Sequence, residues 1–204
     1  MARKIFIATI RDIGKRCLFW ANENLPDDFI IVDNIKESEI VFSIIYDKIF
    51  NEKFLENRTC FNFHCGILPY YGGSNASCWS IINEEQEYGI TLHEIDHGLD
   101  TGNIVEIRKF KISDTDTAHD LYTKGEDLIY QMFKDNFKNL VNGNYNSTKQ
   151  DLKDAKIYYK REIENAKDLR QKSLYQLRVR SQIYERYKIY IMAYRKSSKR
   201  ASEA

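Results

Sequence analysis

The sequence predicts an α/β chain of Rossmann type, a mostly parallel sheet flanked by helices, and three observations carry that expectation. Short runs rich in Val and Ile recur through the first third of the chain, segments of helix-like spacing separate them, and the runs are apolar throughout. Strands buried on both faces have that texture. A chain of 204 residues accommodates one well-packed domain and a small appendage, so one main active site is expected. Hydrophobic residues at 43% and charged residues at 30% exclude the composition of a disordered chain.

The first strand is KIFIATI, Lys4 to Ile10, and the helix after it runs from about Asp12 to Asn24, where Pro26 closes it. FIIVD (Phe29 to Asp33), EIVFSIIY (Glu39 to Tyr46) and RTCFNFH (Arg58 to His64) read as the next three strands. Only about 60 residues precede the last of these, which predicts a shortened N-terminal part with at least one reduced crossover. Gly72 and Gly73 in succession mark Tyr70 to Asn75 as a loop, and Ala76 to Asn83 follows as a helix. GITLHEID (Gly89 to Asp96) alternates like a strand, His97 to Gly102 is a glycine-bounded turn, and Asn103 to Ile112 is another strand; together they predict a hairpin-like excursion. Helix N-cap candidates crowd Asp114 to Asp120, and apolar positions recur at helical spacing from Leu121 through Leu140. Beyond Gly143 the pattern weakens: KIYYKREI reads as a short strand or loop, Lys167 to Arg180 as a helix and Tyr187 to Tyr194 as a strand. The expected division is a catalytic domain over residues 1–145 and a small basic C-terminal extension over 146–204.

No apolar run approaches the roughly 18 to 20 residues that cross a bilayer, and MARKIFIATI lacks a signal-peptide core, so a cytoplasmic protein without membrane attachment is expected. Cys17, Cys60, Cys65 and Cys78 form no CxxC pair and no zinc spacing, and a reducing compartment leaves them as thiols. The net charge of +1 hides an asymmetry: Lys156 to Arg200 holds 14 Lys/Arg against 4 Asp/Glu, or +10, which leaves −9 for the rest. Such a tail suits an anionic ligand or simply a solvated face. The aromatic stretch IYERYKIYIMAY makes a homodimer a reasonable expectation.

Asn62 and His64 lie two apart on a predicted strand, so their side chains leave the same face, at the strand end where open α/β sheets take their ligands. Asp100 occupies a loop between glycines from which a carboxylate can approach another segment and orient His64. An amide, an imidazole and a carboxylate suit acyl transfer to a neutral amine: the first two steady a developing oxyanion, and the imidazole with the carboxylate handles the amine's proton. Cys65 adjoins His64, but strand neighbours point to opposite faces, which disfavours a Cys-His dyad. A lone strand histidine is more often a satisfied core residue, and His93, His97 and His119 are placed in that class.

The stretches NFHCGILPYYGG and WSIINEEQEYGITLHEIDHGLDTGNIV resemble the signature of the folate-dependent formyltransferases, a family that includes methionyl-tRNA, glycinamide ribonucleotide and nucleotide-sugar N-formyltransferases. The resemblance covers about Arg58 to Ile112 and, more loosely, Glu39 to Leu140. It implies the formyltransferase variant of the Rossmann-like fold and a catalytic trio of Asn62, His64 and Asp100. It further implies N10-formyltetrahydrofolate as formyl donor, held near Tyr46, Lys48 and Ile49 and the Ile95, Asp96 and Gly98 backbone, with Leu68 and Pro69 shaping the pocket. No metal is implied.

Two departures stand out. Gly66 takes a place where the family often has Ser, and Gly72 the place of an Arg that commonly follows the aromatic pair. The NFHxGILPYY form, the short tail and the aromatic content look most like nucleotide-sugar N-formyltransferases. That resemblance implies an amino sugar carried on a nucleotide, such as dTDP-4-amino-4,6-dideoxyglucose, and a place in O-antigen biosynthesis. Tyr70, Tyr71, Asn75 and Trp79 are the candidates for contact with base or sugar. The alternatives are the methionyl-tRNA and glycinamide ribonucleotide enzymes, and, from another class, a non-catalytic protein that binds a nucleotide sugar or folate. A partner nucleic acid is not expected, because the tRNA enzymes carry a further domain of roughly 100 residues and only about 60 follow Val141 here.

Overall fold

A computed structural model of the protein describes residues 2–165; most of the basic tail, with the expected helix at Lys167 to Arg180 and strand at Tyr187 to Tyr194, lies outside them. The chain opens with β1 (Arg3–Thr9), α1 (Asp12–Glu23) and β2 (Phe29–Ile31). A single 3-10 turn at Ile35–Glu37 then leads to β3 (Ile40–Ile44), and the four-residue α2 (Glu52–Leu55) leads to β4 (Thr59–His64). Only α1 is a full crossover helix, so the expected shortening falls on both later crossovers.

β5 (Gly72–Gly73) and α3 (Ala76–Ile82) precede the two long strands β6 (Glu87–Glu94) and β7 (Ile104–Lys111). The main sheet runs β2-β1-β3-β4-β6-β7. Its first four strands are parallel, and β4–β6 and β6–β7 pair antiparallel. The segment expected as a hairpin-like excursion is therefore the far third of the main sheet. Alternation alone could not show this, because what joins β6 to the sheet is its backbone pairing with β4.

α4 (Ala118–Val141) carries the core's second layer. Thr117 and Asp120 form a reciprocal capping box at its N-terminus, which satisfies two backbone donors that the helix leaves free. Its apolar stripe places Phe133 and Phe137, both fully buried, against Phe42 of β3 and Trp20 of α1, with ring centroids 5.5–6.1 Å apart. Phe61 and Phe63 of β4 turn toward the same core. The alternation of β4 thus sends its phenylalanines to one side and Asn62 and His64 to the other.

The described residues after α4 stay against the domain. Thr148 exchanges two backbone hydrogen bonds of 2.8 Å with Ile104, β8 (Ile157–Tyr158) pairs in parallel with β5, and α5 (Lys160–Asn165) follows. The first residues of the expected small basic extension, from 146 on, are packed onto the catalytic half.

Truncating Phe133 removes the ring shared by α4, β3, β4 and α1. Phe133→Ala is expected to cost about 3–5 kcal/mol, read as a lower midpoint in equilibrium denaturation with urea.

Candidate active site

The register of β4 against β6 builds the site. Asn62 stands opposite His93, and His64 opposite Thr91. The Thr91 hydroxyl donates to the Gly66 carbonyl at 2.7 Å and accepts the Leu68 N–H at 3.1 Å, which pins the turn that follows His64. That turn brings the Tyr71 carbonyl to 2.7 Å from His64 Nε2. A carbonyl can only accept, so Nε2 carries a hydrogen and Nδ1 is the ring atom left to exchange a proton. Gly66 makes this approach possible: a Cβ there would lie 2.5 Å from the Tyr71 oxygen and 2.9 Å from His64 Nε2.

Asp100 reaches the same point from the turn between β6 and β7. Asp96 Oδ1 accepts the Gly98 N–H at 3.0 Å and the Thr101 hydroxyl at 2.6 Å and so folds the turn on itself. Asp100 lies in the left-handed region, at φ 56°. Its Oδ2 accepts the Gly73 N–H at 2.7 Å and stands 3.6 Å from His64 Nδ1. Its Oδ1 stands 3.5 Å from Asn62 Nδ2 and 3.6 Å from His93 Nε2. Burial opposes ionisation of this carboxyl, but the charge of His64, the hydrogen bond with His93 and the Gly73 N–H outweigh it and hold the group well below the ordinary carboxylate range.

The structure thus brings Asn62, His64 and Asp100 to one point and adds His93, which sequence reasoning placed among satisfied core histidines. His93 Nδ1 lies 2.6 Å from the Glu94 carbonyl, so it is the donor, and Nε2 faces the Asn62 amide at 3.2 Å. The signal was present in the Thr91-x-His93 alternation that puts His93 and Thr91 on one face, but its partner across the sheet depends on the β4–β6 register. His97 also departs from expectation: its side chain is 65% exposed beside Glu52. His119 is half-buried in the first turn of α4. Among the described residues no cluster of three or more His, Cys, Asp or Glu is placed to hold a metal ion. Burial pushes the Cys65 thiol up to about 12, with Glu126 adding to the effect, which leaves no thiolate for nucleophilic attack at neutral pH.

The residues expected near folate divide into two groups. Tyr46 and Ile95 share a small apolar cluster with Phe50 and Phe54, while Lys48, Ile49, Asp96 and Gly98 are exposed around it, Ile49 at 83%. Leu68 is buried in the turn after β4, and Pro69, joined to it by a cis peptide, accepts the Lys156 N–H through its carbonyl.

The residues expected to stack on base or sugar are placed differently from that expectation. Tyr71 and Trp79 both stack on Tyr158, with centroids 5.5 and 4.7 Å apart, and the Tyr71 hydroxyl donates to Glu85 and accepts from Asn83. Those rings are already partnered by the chain beyond residue 145. Asn75, at φ 63°, serves as the N-cap of α3, and only Tyr70 presents an exposed ring. A polar recess of about 340 Å³ lies beside them, lined by Tyr70, Tyr71, Asn83, Glu85, Lys156 and Tyr158. Gly72 lies directly under β8: a Cβ there would stand 3.3 Å from the Lys156 carbonyl and 3.5 Å from Ile157 Cγ1. That packing is the physical reason this position holds no large side chain.

Because folding lowers the Asp100 pKa, the ionised carboxylate stabilises the fold at every pH above its ordinary value of 3.8, and that contribution is lost as the pH falls below it. Asp100→Asn is expected to lower the urea midpoint at pH 7 and to flatten its decline between about pH 5 and about pH 3. Parallel declines in wild type and variant would show that Asp100 gains nothing from its neighbours.

The comparisons with known proteins agree with this geometry. The methionyl-tRNA formyltransferase of Caldanaerobacter subterraneus subsp. tengcongensis is 34% identical over 137 residues, which is 65% of this chain and 44% of that relative. Among the first curated relatives the chain spans 37% to 59% of their length. Two solved structures share the fold. The N-formyltransferase of Helicobacter canadensis, in complex with folinic acid and dTDP-3-aminofucose, superposes with a TM-score of 0.75 at 24% identity, over 88% of this chain and 79% of that one. A 4-N formyltransferase from Francisella tularensis does so with a TM-score of 0.74 at 19% identity, over 86% and 85%. The formyl transferase profile matches residues 17–136, a span that holds Asn62, His64, His93 and Asp100, and with more than half of its length so matched the chain belongs to the formyl transferase family.

Proposed function

We propose that the protein transfers the formyl group of N10-formyltetrahydrofolate to the primary amine of a nucleotide-linked amino sugar, a dTDP-4-amino-4,6-dideoxyhexose, with Asn62, His64 and Asp100 as its catalytic residues. The observation that carries this reading is an ionised carboxylate, Asp100, with the Asn62 amide 3.5 Å from one of its oxygens and the His64 imidazole 3.6 Å from the other. When bound, the folate supplies the formyl carbon, and no bond to the protein is required. The apolar wall of Tyr46 and Ile95, with the exposed Ile49 beside it, suits a flat heterocycle, and Asn62 and His64 lie on the strand neighbouring the one that ends at this wall.

His64 Nδ1 takes the proton that the amine must lose, and the Asp100 carboxylate balances the charge that His64 then carries. Asn62 steadies the oxygen of the reacting carbonyl as it gains charge. Tyr71 fixes the ring through its carbonyl, so that only Nδ1 is free for this exchange. His93 orients the Asn62 amide from the opposite strand.

Support for a sugar acceptor comes from the N-formyltransferase of Helicobacter canadensis, solved with dTDP-3-aminofucose, whose fold this chain shares. The 34% identity to the methionyl-tRNA enzyme favours initiator Met-tRNA as the second reading. The deciding experiment incubates the protein with N10-formyltetrahydrofolate and a panel of dTDP- and UDP-linked 3-amino and 4-amino sugars, with Met-tRNA and glycinamide ribonucleotide in parallel. A gain of one formyl mass on a dTDP-4-amino sugar is expected. A gain on Met-tRNA alone would establish the second reading, and no gain on any acceptor would end both.

With the accepted substrate, His64→Asn and Asp100→Ala are each expected to lower kcat by about a hundredfold or more, with the far-ultraviolet circular dichroism unchanged. Turnover within about threefold of wild type would remove the residue from the mechanism.

A further inference from the structure

From the hydrogen bonds of one buried amide we infer that Gln150 is a positioning residue for Asp100, so that the segment after α4 completes the active site. The inference rests on the proposed function for its kinetic consequence but not for its structural one. Asp100 must present its carboxylate between Asn62, His64, His93 and Gly73 from a turn whose backbone it holds in the left-handed region. An L residue is disfavoured in that region relative to the right-handed basin, so the turn gains from an external hold.

Gln150 supplies it. Its Nε2 donates to the Asp100 carbonyl at 2.9 Å and to the Gly102 carbonyl at 2.6 Å, two acceptors on either side of Thr101. One planar amide with two hydrogens thereby fixes both ends of the turn's final bend. The side chain is 6% exposed, and its Oε1 has no hydrogen-bond partner among the described residues. Turning the amide over would set that oxygen against two carbonyls, so the nitrogen must face them.

The backbone on each side holds Gln150 in place. Thr148 pairs with Ile104 at the start of β7, and further along β8 pairs with β5, whose Gly73 gives Asp100 its strongest hydrogen bond. The same segment therefore grips the carboxylate's turn through Gln150 and the carboxylate's donor through β8.

The test compares wild type with Gln150→Ala and with Gln150→Glu, which keeps the shape and removes the donor. The Gly73 amide proton, a direct reporter of the bond to Asp100, is followed by NMR at neutral pH, with Asp100→Asn as the reference for its loss. Gly73 is expected to move toward its position in the reference variant, and kcat per folded molecule to fall by about tenfold while both KM values stay within about threefold. A Gly73 resonance that stays in place, or a loss of activity accounted for wholly by a smaller folded fraction, overturns the inference. If the wild-type protein transfers formyl to no acceptor, the proposed function fails, and the Gly73 resonance still decides whether Gln150 holds Asp100.

Discussion

A single carboxylate organises this site. Asp100 is mostly buried, yet it stays ionised because a backbone N–H, two imidazoles and an amide surround it. Each of those partners comes from a different part of the chain: Gly73 from β5, His64 and Asn62 from β4, His93 from β6. The sheet register and neighbouring carbonyls hold these groups in place, and the charge would not survive burial without them. The neighbouring architecture can be understood as the set of constraints that bring three strands to one anion.

The sheet does most of this through its change of direction at β4. Parallel strands on one side deliver the end of β4 to the ligand edge, and the antiparallel pairing on the other side places β6 so that His93 faces Asn62. The core beneath is an aromatic layer in which Phe42, Phe61, Phe133 and Phe137 interlock. With Phe61 and Phe63 fixed in that layer, β4 cannot slip by one residue without exposing them, and so the register that aims Asn62 and His64 is protected by hydrophobic burial on the opposite face.

Much of this was legible in the sequence. Alternation along NFH told which side chains share a face, glycines at 98 and 102 marked a tight turn, and the helix from Leu121 to Leu140 was plain from its period. What escaped depended on contacts between segments distant in the chain. His93 reads as an ordinary strand histidine until the antiparallel register sets it across from Asn62. Tyr71 and Trp79 read as candidates for stacking on base or sugar, Trp79 equally as core, and sequence alone does not show that Tyr158, some eighty residues away, stacks on both. The packing beyond residue 145 escaped for the same reason: composition changes there, but the backbone pairing continues through Thr148 and Ile157.

That continuity bears on when the pocket can form. A nascent chain emerges from its N-terminus, and the main sheet with its covering helix is fully synthesised once Val141 has appeared. The strand that pairs with Gly72 and Gly73, and the tyrosine wedged between Tyr71 and Trp79, emerge afterwards. A ribosome-bound intermediate can therefore own a finished hydrophobic core while the loop bearing the anion's main donor still lacks its outer layer, so that maturation of the pocket trails the folding of the scaffold.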